Sequence, residues 1–452
     1  MSILIPSLTA LFWNDKKAFN MKISSVKGTR DFYPPQMAVR NFIADGWKAA
    51  SHRCGFEEFD GPIFEYLQMY QIKSGNEIVE QLFHLTDRGG RDLAIRPEIT
   101  PTLARMVNQQ INALPRPVKW FSIPRLCRAE RPQKGRLREF FQWNIDIIGE
   151  ESILADAEVI FCSIDYLRST GLLPKDVVAK ISSRKLLAAL LKNLGLPEEK
   201  LPVLYPILDK KSKIPVEAFT EMLGKEISDP GIISTILKLM ELHNADEIAN
   251  IVNLNDDAKS ALSHLQELFK TLDAMGVGEF CRFDMSIVRG LAYYTGMVFE
   301  VHDAVGDLRA VCGGGRYDNL LKDFGGPAMT AVGMGMGDCV LEILLRERGI
   351  LKDDSLSTKN MDYFVAIADA ALLPKGVELA AKIRQAGFSC ELPYKANALG
   401  KQLKQASAYN TRNTIILGQE YTIANQLVVK DMVAGTQSAV DAAGFLATLI
   451  PT

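Results

Sequence analysis

Apolar and polar residues alternate from position 141 to 147. Side chains of a strand point to opposite sheet faces with period two. Phe141, Trp143, Ile145 and Ile147 therefore share one face, and Gln142, Asn144 and Asp146 share the other. Elsewhere the pattern predicts a helix over 37–51, carried by Val39, Phe42, Ile43 and Trp47 and stopped by Cys54-Gly55. Residues 56–64 read as a strand, and 81–95 as two strands around the turn residues Asp87, Gly89 and Gly90. Arg96-Pro-Glu98-Ile99-Thr100-Pro101 starts a helix, with Thr100 as its cap and Pro101 at the first helical position.

Between about 170 and 277 helical stripes dominate, such as Leu186, Leu187, Leu190, Leu191 and Leu194 ending at Gly195, and Ile232, Ile233, Ile236, Leu237 and Met240. Strand character returns at 297–301, followed by a glycine-rich segment over 313–337. The polar stretch 352–361 reads as a linker. Beyond it the order is strand 363–367, helix 375–386, strand 389–392, helix 399–408, strand 413–417 and strand 426–430, a small α/β domain. The expected organisation is an extension at 1–20, a core domain over 21–170 and 278–350, a helical insertion at 171–277, a linker at 351–360 and the α/β domain at 361–452. Met21 with Lys22-Ile23-Ser24 reads as a natural start, leaving 1–20 as an upstream artefact or a disordered tail.

A chain of 452 residues has room for about three domains. With 47% hydrophobic and 23% charged residues it has the composition of a globular protein, and a formal charge of −2 argues against coating nucleic acid by bulk charge. A local basic face is still open to it. Seven scattered cysteines without Cys-x-x-Cys point to a reducing compartment, and five histidines form no ligand pattern, so no protein-bound metal is expected. No apolar run approaches the roughly 20 residues of a spanning helix.

Candidate chemistry gathers in four segments. Arg125, Arg128, Arg131, Lys134, Arg136 and Arg138 crowd a Pro-Gln-Lys-Gly turn before the alternating strand. Arginine's planar fork suits carboxylates and phosphates, although a solvated basic hairpin would read the same way. Glu98 and Thr100 could meet an ammonium group, or Glu98 could simply complement a helix dipole. Arg289-Gly-Leu-Ala-Tyr293-Tyr294-Thr-Gly enters a strand and offers a cation and two adjacent tyrosines, of which only one can face a given side; its alternative is a surface arginine before a core strand. Cys312-Gly-Gly-Gly-Arg-Tyr-Asp resembles a phosphate-cradling loop but lacks a Walker ending, and on its own reads better as a tight turn for close strand–helix packing; Val332-Gly-Met-Gly-Met-Gly-Asp would let backbone lie close beneath a flat ligand, or make a small-residue helix contact. Together these segments describe a site for an amino acid and ATP.

Their order and wording resemble histidyl-tRNA synthetases, a family of class II aminoacyl-tRNA synthetases. Lys27-Gly-Thr-Arg-Asp is similar to the family's opening motif, 56–66 to motif 1, 128–146 to motif 2, 313–345 to motif 3, and 289–300 to the histidine-specific motif. The end of the chain, through Val428-Val-Lys-Asp and Gly435-Thr-Gln437, resembles the anticodon-binding domain. The resemblance implies an α+β fold with an antiparallel sheet flanked by helices, a helical insertion, and a homodimer through motif 1 in the cytoplasm. It implies ATP with Mg2+, L-histidine and tRNA(His) as substrates, with histidyl-adenylate as intermediate. Glu98, Ile99, Thr100 and Gln142 are implied around the histidine backbone. Asp146 is implied at the imidazole, with Tyr293 and Tyr294 nearby. Arg128 and Arg289 are implied at the α-phosphate as catalytic cations, Glu130 at the adenine, Arg136 at the β- and γ-phosphates, and Gly335 and Gly337 beneath the nucleotide.

The chain departs from the family pattern at several points. Gly337-Asp338-Cys339 stands where the family has Gly-x-Glu-Arg, with no arginine until Arg346; Ala292 replaces an aspartate, and Ile99 a less branched residue. Trp143-Asn-Ile-Asp146 also differs from the usual wording. The competing readings are a non-catalytic histidine-binding regulator, similar to the regulatory subunit of ATP phosphoribosyltransferase, and another class II synthetase. Retention of Arg128, Arg289 and the C-terminal domain argues against the first, and the Arg-Gly-Leu-x-Tyr-Tyr wording against the second.

Overall fold

The computed structural model describes residues 24–73, 81–211, 213–289, 293–306, 308–352, 356, 359–395 and 397–449. Gly290 and Ala292, the extension at 1–20 and part of the expected linker lie outside them. The chain divides into two units, one of 1–31 with 43–350 and one of 32–42 with 351–452.

The first unit is built on the strands β1 (Glu57–Glu58), β2 (Phe64–Tyr66), β3 (Phe83–Thr86), β4 (Asp92–Ile95), β5 (Val118–Ser122), β6 (Arg125–Cys127), β7 (Glu139–Ile148), β8 (Val177–Ser183), β9 (Cys281–Phe283), β10 (Met297–Asp303), β11 (Cys312–Tyr317) and β12 (Ala331–Gly337). Among the described residues, nine of these form one sheet in the order β1-β5-β7-β12-β11-β10-β8-β9, with β6 also on β7. The pairs from β5 to β8 are antiparallel, while β1 and β9 at the edges pair in parallel. A small antiparallel sheet, β2-β4-β3, stands apart.

The alternation read in β7 survives intact. Phe141, Trp143, Ile145 and Ile147 are buried. Trp143 stacks on Trp47, their centroids 6.2 Å apart, with Tyr166 closing the cluster. The indole N–H of Trp143 donates to Ser51 Oγ at 2.8 Å, so this apolar face leaves that donor paired. The helix Ile153–Ser169 packs on β7, β11 and β12, and the helix Asp256–Ala274 packs against it and on β8.

Two expectations change. The single strand expected over 56–64 is two short strands in different sheets, because Gly61-Pro62 interrupts it and proline has no N–H for a ladder. The segment 171–277 is not wholly helical, since β8 within it belongs to the large sheet and pairs with β10 along its whole length.

In the second unit β13 (Met361–Ile367), β14 (Cys390–Glu391), β15 (Thr411–Leu417), β16 (Gln426–Asp431) and β17 (Gln437–Asp441) form a sheet ordered β14-β13-β15-β16-β17. The helices Leu373–Gln385 and Leu399–Ala408 connect its parallel strands. Val365, Ile367, Leu379, Ile383, Ile415 and Leu417 make its core. No helix among the described residues is long and apolar enough to cross a membrane.

Candidate functional site

Ladder register decides what stands on the polar face of the large sheet. Asp146 lies opposite Gly333, Asn144 opposite Gly335 and Gln142 opposite Gly337; Gly335 and Gly333 in turn face Gly313 and Gly315 on β11. Glu300 of β10 lies opposite Gly313. Long polar side chains from β7 and β10 thus lean over a floor that has none. A Cβ at Gly333 would come within 2.0 Å of Asp146 Oδ1, and one at Gly335 within 2.8 Å of Gln142 Nε2. A Cβ at Gly313 would sit 2.2 Å from Arg289 Nη1. Here the glycines supply space rather than backbone freedom.

Above this floor opens a cavity of about 840 Å³. Its lining includes Glu98, Thr100, Gln142, Asp146, Tyr293 and Tyr294, together with Arg128, Glu130, Arg136, Arg289, Gly335 and Gly337. Both arginines expected to be catalytic therefore face one chamber. Ile99 does not line it. That residue caps the helix Thr100–Gln109 in helical backbone geometry and is fully buried in an apolar cluster with Phe59, Leu103 and Val107. The Ile99 side chain thus belongs to the core, and the expected cap moves back by one residue, since Thr100 is the first residue inside the helix.

At one end of the chamber the acidic and phenolic groups cluster. Tyr317 donates its hydroxyl to Asp146 Oδ1, while Oδ2 of Asp146 is buried with no donor among the described residues. Burial is the main cause that pushes the Asp146 carboxyl up to about 7, aided by the nearby charge of Glu98 and opposed by the Tyr317 hydroxyl. Tyr293 donates to Glu98 Oε2 at 3.4 Å, and its ring lies 4.9 Å from Tyr294 and 5.7 Å from Tyr317. Both Tyr293 and Tyr294 reach the chamber. The idea that only one could do so assumed a strand, but β10 begins only at Met297.

The cations are held in place. Arg289 has φ +61°, in the left-handed region that non-glycine residues seldom occupy, a strain on the order of 1–3 kcal/mol. Its Nη1 donates to Glu300 Oε1 at 2.8 Å, and Glu300 Oε2 meets His302 Nε2 at 3.0 Å. Burial alone would raise the Glu300 carboxyl, yet His302 and Arg289 bring it down to about 2. Arg289 is itself pushed above its ordinary value: burial lowers it, and Tyr294 and Glu300 more than offset this. Arg128 donates from Nε to the Pro97 carbonyl at 3.0 Å, with its guanidinium 5.2 Å from the Phe140 ring.

The turn expected around Pro-Gln-Lys-Gly is present, with Gln133 and Arg136 bridged and Gly135 at φ +73°. Arg136 forms an ion pair with Glu130 across it. At the departure Asp338-Cys339, the aspartate is buried and structural. Its Oδ1 accepts the Phe141 backbone N–H at 3.0 Å, and its Oδ2 pairs with Arg30 Nη2 at 2.5 Å. Cys339 lines the chamber as a thiol whose pKa burial raises further, so no charge stands at that position.

Sequence reasoning overlooked Tyr317 and Glu300. Tyr317 was within reach: it lies two and four positions beyond Gly315 and Gly313, and so on the same face of β11.

The sequence model described as "Histidyl-tRNA synthetase" matches residues 28–337, and the one described as "Anticodon binding domain" matches 358–450. The chain is 37% identical over 436 residues to the chloroplastic/mitochondrial histidine–tRNA ligase of Arabidopsis thaliana, covering 96% of this chain and 88% of the relative. It is 38% identical over 421 residues to the histidine–tRNA ligase of Opitutus terrae, covering 92% and 95%. In fold it is similar to the crystal structure of a Nostoc histidyl-tRNA synthetase, with TM-score 0.78, 24% identity, and 95% and 99% of the two chains covered. A Bacillus halodurans protein described as an ATP phosphoribosyltransferase regulatory subunit/histidyl-tRNA synthetase gives TM-score 0.70 at 24% identity, covering 87% and 98%. Fold is common to both descriptions, but the sequence match is decisive: this chain belongs to the histidyl-tRNA synthetase family.

Proposed function

We propose that the protein is a histidine–tRNA ligase, which activates L-histidine with ATP, bound as its magnesium complex, and passes it to the 3′ end of tRNA(His). The observation that carries this reading is that Arg128 and Arg289 line one chamber together with Asp146, whose buried Oδ2 has no donor among the described residues. In the first step a histidine carboxylate oxygen attacks the α-phosphorus, the bond to the bridging oxygen of the β-phosphate breaks, and pyrophosphate leaves. No proton moves, so no protein base is needed; two fixed guanidiniums bring the anions together and neutralise the charge that builds on phosphorus. In the second step a terminal ribose hydroxyl attacks the carbonyl, the bond from that carbon to the phosphate oxygen breaks, and AMP departs with the hydroxyl's proton taken up by its phosphate.

Glu98 and Thr100 receive the ammonium group in this assignment, Gln142 also reaches the amino acid, and Asp146 takes an imidazole N–H, with Tyr294 on the other side of that ring and Tyr293 nearby. Glu130 lies toward the adenine, Gly335 and Gly337 lie under the nucleotide, and Arg136 exchanges Glu130 for the β- and γ-phosphates. The unit at 351–452 reads the anticodon, and the chain acts in the cytoplasm. A homodimer through motif 1 is supported by Ile63, Phe64 and Tyr66, which are 58%, 55% and 57% exposed although large and apolar.

The deciding experiment is exchange of labelled pyrophosphate into ATP. Exchange that requires histidine is expected; histidine binding without exchange would mean a regulator instead. The glycine floor gives a second test in the same assay. Gly313→Ala is expected to displace the Arg289 guanidinium and lower exchange by about 30-fold, since misplacement of about 1 Å can cost that much. Its melting temperature should fall as well, by no more than that of Arg289→Ala, because the displaced Nη1 is the atom that holds Glu300. Full activity would show that Arg289 works from another position.

A further inference from the structure

Arg184 begins the helix Arg184–Asn193 directly after β8, and its side chain is buried. From there the guanidinium donates Nε to the Val288 carbonyl at 3.1 Å, Nη2 to the Arg289 carbonyl at 3.1 Å and Nη1 to the Tyr294 carbonyl at 2.8 Å. Its own backbone N–H donates to the Gly296 carbonyl at 2.9 Å. One fork therefore grips the chain at the start of the histidine-specific motif, at Val288 and Arg289, and again within it at Tyr294, all more than a hundred positions away. The guanidinium also lies over the ring of Tyr205, 4.4 Å from its centroid, in the helix Leu201–Leu208. Burial lowers the Arg184 pKa, against the influence of Tyr205, Tyr294 and Asp209, so this charge is kept out of water at a cost. Arg289 needs such a hold, because its left-handed backbone is not one an arginine adopts unaided.

We propose that Arg184 is a positioning residue for adenylate formation, clamping the carbonyls of Val288, Arg289 and Tyr294 so that the Arg289 guanidinium stays over Gly313. The clamp rests on the function proposed above for Arg289. Arg184 touches no substrate. It acts through Arg289, so its loss should be felt in the chemical step more than in binding. Tyr205 braces the guanidinium through its ring, which makes it the natural place for the helix Leu201–Leu208 to influence the catalytic arginine.

The test is a double-mutant cycle on single-turnover adenylate formation. Arg184→Ala in the parent chain is expected to lower the rate by about 50-fold with the KM for histidine changed less than about threefold. In an Arg289→Ala background the same change should cost less than about threefold, because the group it positions is gone. An equal loss in both backgrounds, or no loss in the parent, overturns the proposal. Arg184→Lys covers the case in which the alanine variant does not fold. It keeps the charge but not the fork, and an intermediate rate with an unchanged KM is expected. Hydrogen exchange at the peptide carrying Val288 and Arg289 gives a readout independent of catalysis: faster exchange is expected in Arg184→Lys, and unchanged protection overturns the clamp. Should the parent itself show no histidine-dependent exchange of pyrophosphate, the functional reading fails while hydrogen exchange still decides the clamp.

Discussion

Arg289→Ala is expected to lower adenylate formation by about 10³-fold or more, with most of the loss in kcat. Removing one hydrogen-bond donor to a developing charge commonly costs about 10²- to 10³-fold. Arg289 supplies more than a donor: a full charge, held against Glu300 and aimed into the chamber, where two anions must meet. Arg289→Lys should recover part of the rate, since the charge returns without the planar fork. The fold should survive, with a lower melting temperature, because Glu300 keeps His302 but loses its guanidinium. The pH dependence of that loss has a definite sign. The Glu300 pKa is depressed to about 2 in the fold, so the stability it contributes is present above its ordinary value near 4.5 and disappears as pH falls toward 2. The gap in melting temperature between parent and Arg289→Ala should therefore be widest near neutrality and close below pH 4.5. A variant with near-normal pyrophosphate exchange would remove Arg289 from the mechanism.

Periodicity made much of this arrangement legible. Two-residue alternation in β7 put Gln142 and Asp146 on the face away from Trp143, and both line the chamber. The helix Thr100–Gln109 and the hairpin β3–β4 were readable from proline, glycine and apolar spacing. The glycines were weak signals for a physical reason. Their role is the room they leave, and that depends on a ladder register setting Gly333 against Asp146 and Gly313 against Glu300. Arg184 carried no signal, because its partners are carbonyls, which every residue possesses. In the second unit β17 escaped because its residues are almost all exposed, so no apolar alternation marks it. At the departure Asp338-Cys339 the missing arginine was legible in the sequence, but not that Asp338 is a junction, tying Arg30 to the first turn of the helix Asp338–Glu347 and to the Phe141 backbone.

For Asp146→Asn the expected outcome is a loss of histidine affinity that depends on pH. At pH 8 Asp146 is ionised, and its Oδ2 is free to accept an imidazole N–H; asparagine keeps the shape but not the charge. A site built around a buried polar partner discriminates strongly, and the penalty should be about 10³-fold at that pH. Below pH 7 the parent's own carboxylate takes up a proton before the ligand arrives, so its advantage over asparagine should shrink toward tenfold per pH unit. Comparing variant with parent at each pH cancels the ligand's own titration. The same shift predicts the opposite trend in stability without ligand. A carboxyl raised from 3.8 to about 7 contributes stability that is complete below pH 3.8 and lost as pH rises through 7. Asparagine does not titrate, so the variant should gain on the parent across that interval and melt higher at pH 8. Calorimetric binding and melting curves at pH 5, 6, 7 and 8 measure both trends. A constant affinity ratio across that series would mean that the imidazole is read elsewhere, with Asp146 serving only to hold Tyr317.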